Sequence, residues 1–150
     1  MKDATTQLRT YYYNTLQGIV IDGFEIPVYS DEVNDSVAPY TRNEPPKYYI
    51  IISNQNSADE SAKCNFAERH TIQVNSYTIF PVSNGGYSIA EAINEEVKER
   101  ILLNTSGNFE LQDYSVYRSR IDLSSNISEK TKTQNIYRRF TIFNHSIAEK

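Results

Sequence analysis

The chain reads as one α+β domain, with a largely antiparallel sheet and an N-terminal and a central helix packed against it. Three observations carry that expectation. Two segments, 5–17 and 88–103, repeat apolar residues at helical spacing. Several others run apolar or alternate as strands do. The order is helix, strands, helix, strands, with no internal repeat. The 150 residues suffice for a single domain, 1–150, with its own core.

Taken in order, Leu8, Tyr12 and Leu16 recur every four residues and give the first helix its buried face, widened by Tyr11 or Tyr13. Gly18 is the expected stop. Three adjacent tyrosines cannot share one helical face, so at least one points away from the local core. Residues 19–30 read as a short strand pair or a strand with a turn, punctuated by Gly23 and Pro27. Residues 31–46, with Pro39, Pro45 and Pro46, read as a loop. The run KYYIIIS at 47–53 predicts a central strand covered on both faces. A second polar loop is expected at 54–64.

The stretch 66–80 alternates as a long strand. Ile72, Val74, Ser76, Thr78 and Phe80 lie on one face, and Gln73, Asn75, Tyr77 and Ile79 on the other. After a turn at 81–86, Ser88 and Glu91 have the spacing of a capping box. Ile89, Ile93, Val97 and Ile101 then form an apolar seam, flanked by Leu102. Glu91, Glu95 and Glu96 near the start and Lys98 and Arg100 near the end match the helix dipole. A turn follows around Gly107. Strands at 113–124 and 134–145 are expected to pair antiparallel across a loop at 125–133.

Charge narrows the function. The net charge is −4, and nine acids in residues 1–60 face only Lys2, Arg9, Arg42 and Lys47. No basic stripe is present to grip phosphates. Cys64 is alone, so no intrachain disulfide forms. No apolar run reaches membrane-span length, and no signal core follows Met1, which points to a soluble protein made inside the cell.

Catalytic signals are absent from the sequence pattern. Cys64, Glu68 and His70 lack metal-ligand spacing, and none of the common phosphate, nucleophile or zinc motifs occurs. No cofactor is expected. His70 is expected to be half-exposed. The carboxylate pairs Asp59–Glu60 and Glu95–Glu96 read as solvated faces.

Contact chemistry is better represented. The chain holds 12 Tyr and 6 Phe and no Trp. Tyrosine suits surfaces that are half core and half contact, although it also favours strands. Tyr11, Tyr13, Tyr77 and Phe80 are the aromatic contact candidates. Arg118, Arg120, Arg138 and Arg139 lie on two strands expected to be neighbours, where an arginine fork can hold a carboxylate. The acidic first third of a second copy could supply it. A solvated basic face and a contact with DNA phosphate are the other readings.

The succession TTQLRTYYYNTL, IPVYS, PPKYYIII, RHTIQVNSYTIF, SIAEAINEEVKERIL and YRRFTIF resembles that of tail-terminator and tail-completion proteins of tailed bacteriophages, over nearly the whole chain. That resemblance implies a non-catalytic virion protein made in the bacterial host cytoplasm. It implies a ring, six or twelve copies being the expected numbers, at the head–tail interface. Its partners would be the connector and tail proteins, with DNA passing through the lumen without specific binding and no membrane. A neighbouring connector ring is a variant of the same reading. The alternatives are a monomeric or dimeric adaptor with a sheet-edge site and a small enzyme using His70.

Overall fold

The computed structural model describes residues 4–30, 47–61, 66–82, 85–103 and 108–150. The loop expected at 31–46, the turn around Gly107 and Cys64 lie outside them. The fold is α+β. Helix α1 (Ala4–Thr15) and helix α2 (Ser88–Lys98) pack on one face of a six-stranded sheet. In chain order its strands are β3 (Val28–Ser30), β4 (Lys47–Asp59), β5 (Ala67–Pro81), β6 (Phe109–Glu110), β7 (Tyr114–Lys130) and β8 (Gln134–Glu149). In space the order is β3-β4-β5-β8-β7-β6. Only β3 and β4 run parallel. Strands β1 (Val20–Ile21) and β2 (Phe24–Glu25) form a separate hairpin.

The apolar repeats act as expected. Ala4, Leu8 and Tyr12 are fully buried on α1 and Leu16 just past its end, as are Ile93 and Val97 on α2 and Ile101 in the helical turn that follows it. They meet Ile50, Ile52, Ile72, Val74, Phe143 and Ile147 of the sheet in one core. Gly18 turns away at φ +80°, a conformation open to glycine. The hairpin turn is Asp22-Gly23, both at positive φ (50° and 82°), as a two-residue turn that follows strand twist requires.

The start of α2 differs from expectation. Tyr87 occupies the cap position with no side-chain cap bond, and Ser88 is already helical. Glu91 instead accepts a hydrogen bond from Asn126 Nδ2 of β7, at 3.0 Å. At its far end the helix passes into a π-helical turn, Glu99–Leu103. There Arg100 leaves its own helix end and caps α1. It donates to the carbonyls of Thr15 (3.1 Å), Gln17 and Gly18.

Two polar segments expected to be loops are strands. β4 runs on through Asn54–Asp59, with a register shift between Ile52 and Gln55. Arg9 of α1 secures that shift, donating to the carbonyls of Ile52 and Ser53 and to Ser30 Oγ. β7 and β8 extend to a turn only three residues long, at 131–133, held by Thr131 and Gln134. Ladder bonds to an adjacent strand set these segments, and polar composition does not oppose them on a solvent-facing sheet.

Candidate interaction surfaces

The core strand KYYIIIS is buried on both sides. The face away from the helices carries a second, smaller cluster of Tyr49, Ile51 and Ile79, edged by Tyr29, Tyr77 and Ile136. Tyr77 stacks on Tyr49 at 5.1 Å between centroids, with planes 9° apart. Burial, helped by the neighbouring Tyr77 and Tyr29, pushes the Tyr49 phenol up to about 12. The Arg138 guanidinium lies 5.5 Å from the Tyr77 ring centroid and donates to its hydroxyl at 3.0 Å. Tyr77 and Arg138 thus form a single platform with Tyr49.

Phe80 lies on the other face, between Tyr48 and Tyr137 and against Gly85. The three consecutive tyrosines diverge. Tyr12 is buried, Tyr11 stacks on Phe109 at 4.1 Å, and Tyr13 is exposed beside Arg9 and Ser30 in an open groove of about 270 Å³.

The four arginines fall into separate places. Strand register sets Arg118 opposite Ser146 and Arg120 opposite Asn144, whereas Arg138 lies opposite Ile127 and Arg139 opposite Asn126. Six residues of strand, roughly 20 Å, separate the two groups. Arg139 points to the helix side and donates to Asn126 at 2.8 Å. Arg118 and Arg120 are joined by Arg69 of β5, which pairs with Ser146 across β8. Arg69, Arg118, Arg120, Glu60, Asn144 and Ser146 line a polar cavity of about 100 Å³. Glu60 stands 3.6 Å from Arg69 and accepts from Ser146, and Asp122 holds Arg120 at 3.0 Å. Arg118 has no ion pair among the described residues. Only the strand order β5-β8-β7 reveals Arg69 as a member, so no local pattern could have found it.

The edge of the sheet is the second surface. Short β6 covers β7 only at Ser115 and Val116. From Tyr117 to Lys130 the outer side of β7 meets no strand among the described residues. Tyr117, Ile121, Leu123 and Ile127 are 37–50% exposed along it. Long edges of this kind are templates for pairing with another chain.

Histidine chemistry is internal. His70 is fully buried, not half-exposed, with Nε2 2.7 Å from Glu68 Oε2. His145, paired with it across the ladder, is also fully buried. Its Nε2 meets the Tyr12 hydroxyl and its Nδ1 meets Ser119 Oγ at 2.6 Å. Burial, with a contribution from His70, pushes the His145 imidazole down to about 3, so it is neutral near pH 7. A neutral ring, one donor and one acceptor, satisfies two such partners. With no exposed surface, His70 has no access to a substrate. Among the described residues, no group of three or more His, Cys, Asp or Glu is placed to hold a metal ion. No helix of the described residues is long and apolar enough to cross a membrane.

Comparison with known proteins places the fold. No family model and no curated protein matches the chain. Among solved structures, a chain of the virion of a native gene transfer agent particle is similar over its whole length. The TM-score is 0.71 at 15% identity, covering 100% of both chains. The two share an architecture from end to end.

Proposed function

We propose that this chain is a structural virion protein without catalytic activity. It forms a ring at the head-proximal end of a phage-type tail, or in the head–tail connector, where it ends tube assembly and joins tail to head. The observation that carries this reading is the outer side of β7, which meets no strand among the described residues and carries four exposed apolar side chains. A chain designed to remain alone would have such an edge shortened, charged throughout or covered. The end-to-end likeness to a gene-transfer-agent virion chain supports the particle context.

A ring needs two different patches that meet head to tail, and closes when the rotation between copies closes. Six or twelve copies are the expected numbers. The platform of Tyr77 and Arg138 and the exposed Tyr13 are further contact candidates, facing the connector and tail proteins. DNA would pass through the lumen without specific binding, in keeping with a net charge of −4. Native mass spectrometry with negative-stain imaging of the purified protein tests the reading. A closed ring is expected. A chain that stays monomeric at high concentration and binds one soluble partner would favour the adaptor reading.

A further inference from the structure

The β1–β2 hairpin and the β7 edge differ in the charge they expose. Residues 19–30, IVIDGFEIPVYS, contain no Lys or Arg. Their exposed side chains include Val20 and Phe24, at 58% and 53%, and the acids Asp22 and Glu25. Neither acid enters an ion pair among the described residues. The stretch from Tyr117 to Leu123 presents Tyr117, Ile121 and Leu123 beside Arg118 and Arg120. At the adjoining cavity, three guanidiniums face two carboxylates, Glu60 and Asp122. Each surface therefore offers exposed apolar area beside charge of opposite net sign, negative on the hairpin and an excess of one positive at the cavity.

The two cannot meet within one molecule. The hairpin leads directly into β3, at one margin of the sheet, and β7 lies four strands away, roughly 19 Å across the ladder. We infer that the β1–β2 hairpin of one copy docks on the β7 edge of the next, with Phe24 against Leu123 and with the acids Asp22 and Glu25 towards Arg118 and Arg120. This rests on the ring reading and names its subunit contact. The pairing is head to tail, because the patches differ, and repeated around an axis it closes a ring. Arginine forks hold such carboxylates at fixed geometry, which sets the angle between copies.

The test is a charge exchange. One variant carries Asp22→Asn and Glu25→Lys, asparagine keeping the left-handed turn position. The other carries Arg118→Glu and Arg120→Glu. Each alone should lower the ring fraction at least tenfold at a concentration where the unaltered chain is fully assembled. A one-to-one mixture, and a chain carrying all four changes, should each recover it, since every docking then joins opposite charges. If both variants assemble like the unaltered chain, the hairpin contact is wrong and the ring reading stands. If assembly is lost and neither combination recovers it, the pairing is wrong. If the unaltered chain forms no ring, both readings fall. Thermal melts of each variant separate assembly from folding. Where a variant melts early, Phe24→Cys with Leu123→Cys in a Cys64→Ser background replaces it. Oxidation should then give a ladder of linked copies only when both cysteines are present, and a single band in its place overturns the contact.

Discussion

At the residue scale, His145 decides how the core responds to acid. Its folded pKa, about 3, lies below the ordinary value of 6.5. The unfolded chain therefore takes up the proton more readily than the folded one. The stability that neutral His145 supplies is complete above about pH 6.5 and is lost as pH falls from there towards 3, with a ceiling of about 5 kcal/mol. Melting temperature should fall between pH 7.5 and 5, and a flat profile would exclude a buried neutral imidazole. Tyr12→Phe should cost about 1–3 kcal/mol at neutral pH, because it leaves His145 Nε2 buried without its partner. Gly85 shows the other way one position can be constrained. It sits at φ +106°, and an added Cβ would fall 2.6 Å from Phe80 Cδ2 and 2.8 Å from the Tyr137 ring. Gly85→Ala should destabilise by more than about 1 kcal/mol, read by denaturant midpoint, since strain and crowding act together.

At the element scale, two arginines tie segments far apart in the chain. Arg9 satisfies carbonyls at the β4 irregularity, and Arg100 caps α1 from the end of the second helical segment. Arg9→Ala should cost about 1.5–3 kcal/mol, the range for hydrogen bonds to a charged group, and Arg9→Lys should recover little because a point charge cannot replace the fork. Hydrogen exchange tests the strands that polar composition hides. Along Tyr117–Lys130, amides directed at β8 should be protected and those on the outer side should exchange fast in the isolated chain. Uniformly fast exchange over 124–130 would restore the loop reading. The helical segments were legible because their signal is local. Leu8, Tyr12 and Leu16, and Ile93, Val97 and Ile101, identify a buried face by spacing alone. The extensions of β4, β7 and β8 were not, because NQNSAD and SSNISEK become strands only when a neighbour supplies ladder bonds. The capping box at Ser88 and Glu91 misled for a related reason: Asn126 competes for the glutamate.

At the scale of the whole molecule, one sheet face is closed by helices and the other is shared between an aromatic platform and an arginine cavity. The β7 margin that meets no strand among the described residues lies beside the latter. If carboxylate–arginine contacts join copies, raising salt from 0.1 to 1 M should weaken assembly, since the screening length shrinks from about 10 to about 3 Å. Ring fraction by sedimentation would measure this, and salt-independent assembly would point to apolar contacts alone. Of the surface residues expected from sequence, Arg118 and Arg120 share a site, Arg138 joins Tyr77, and Arg139 turns to the helix side.

By itself the sequence determined the α+β class, the two helix faces, the central apolar strand and the lack of a phosphate-gripping basic stripe, because side-chain periodicity and charge are written along the chain. Only the tertiary structure decided that both histidines are sealed inside, that Arg69 joins Arg118 and Arg120, and that the outer side of β7 meets no strand among the described residues. Each of these depends on which distant strands become neighbours, and hydrogen bonding across the sheet is indifferent to distance along the chain.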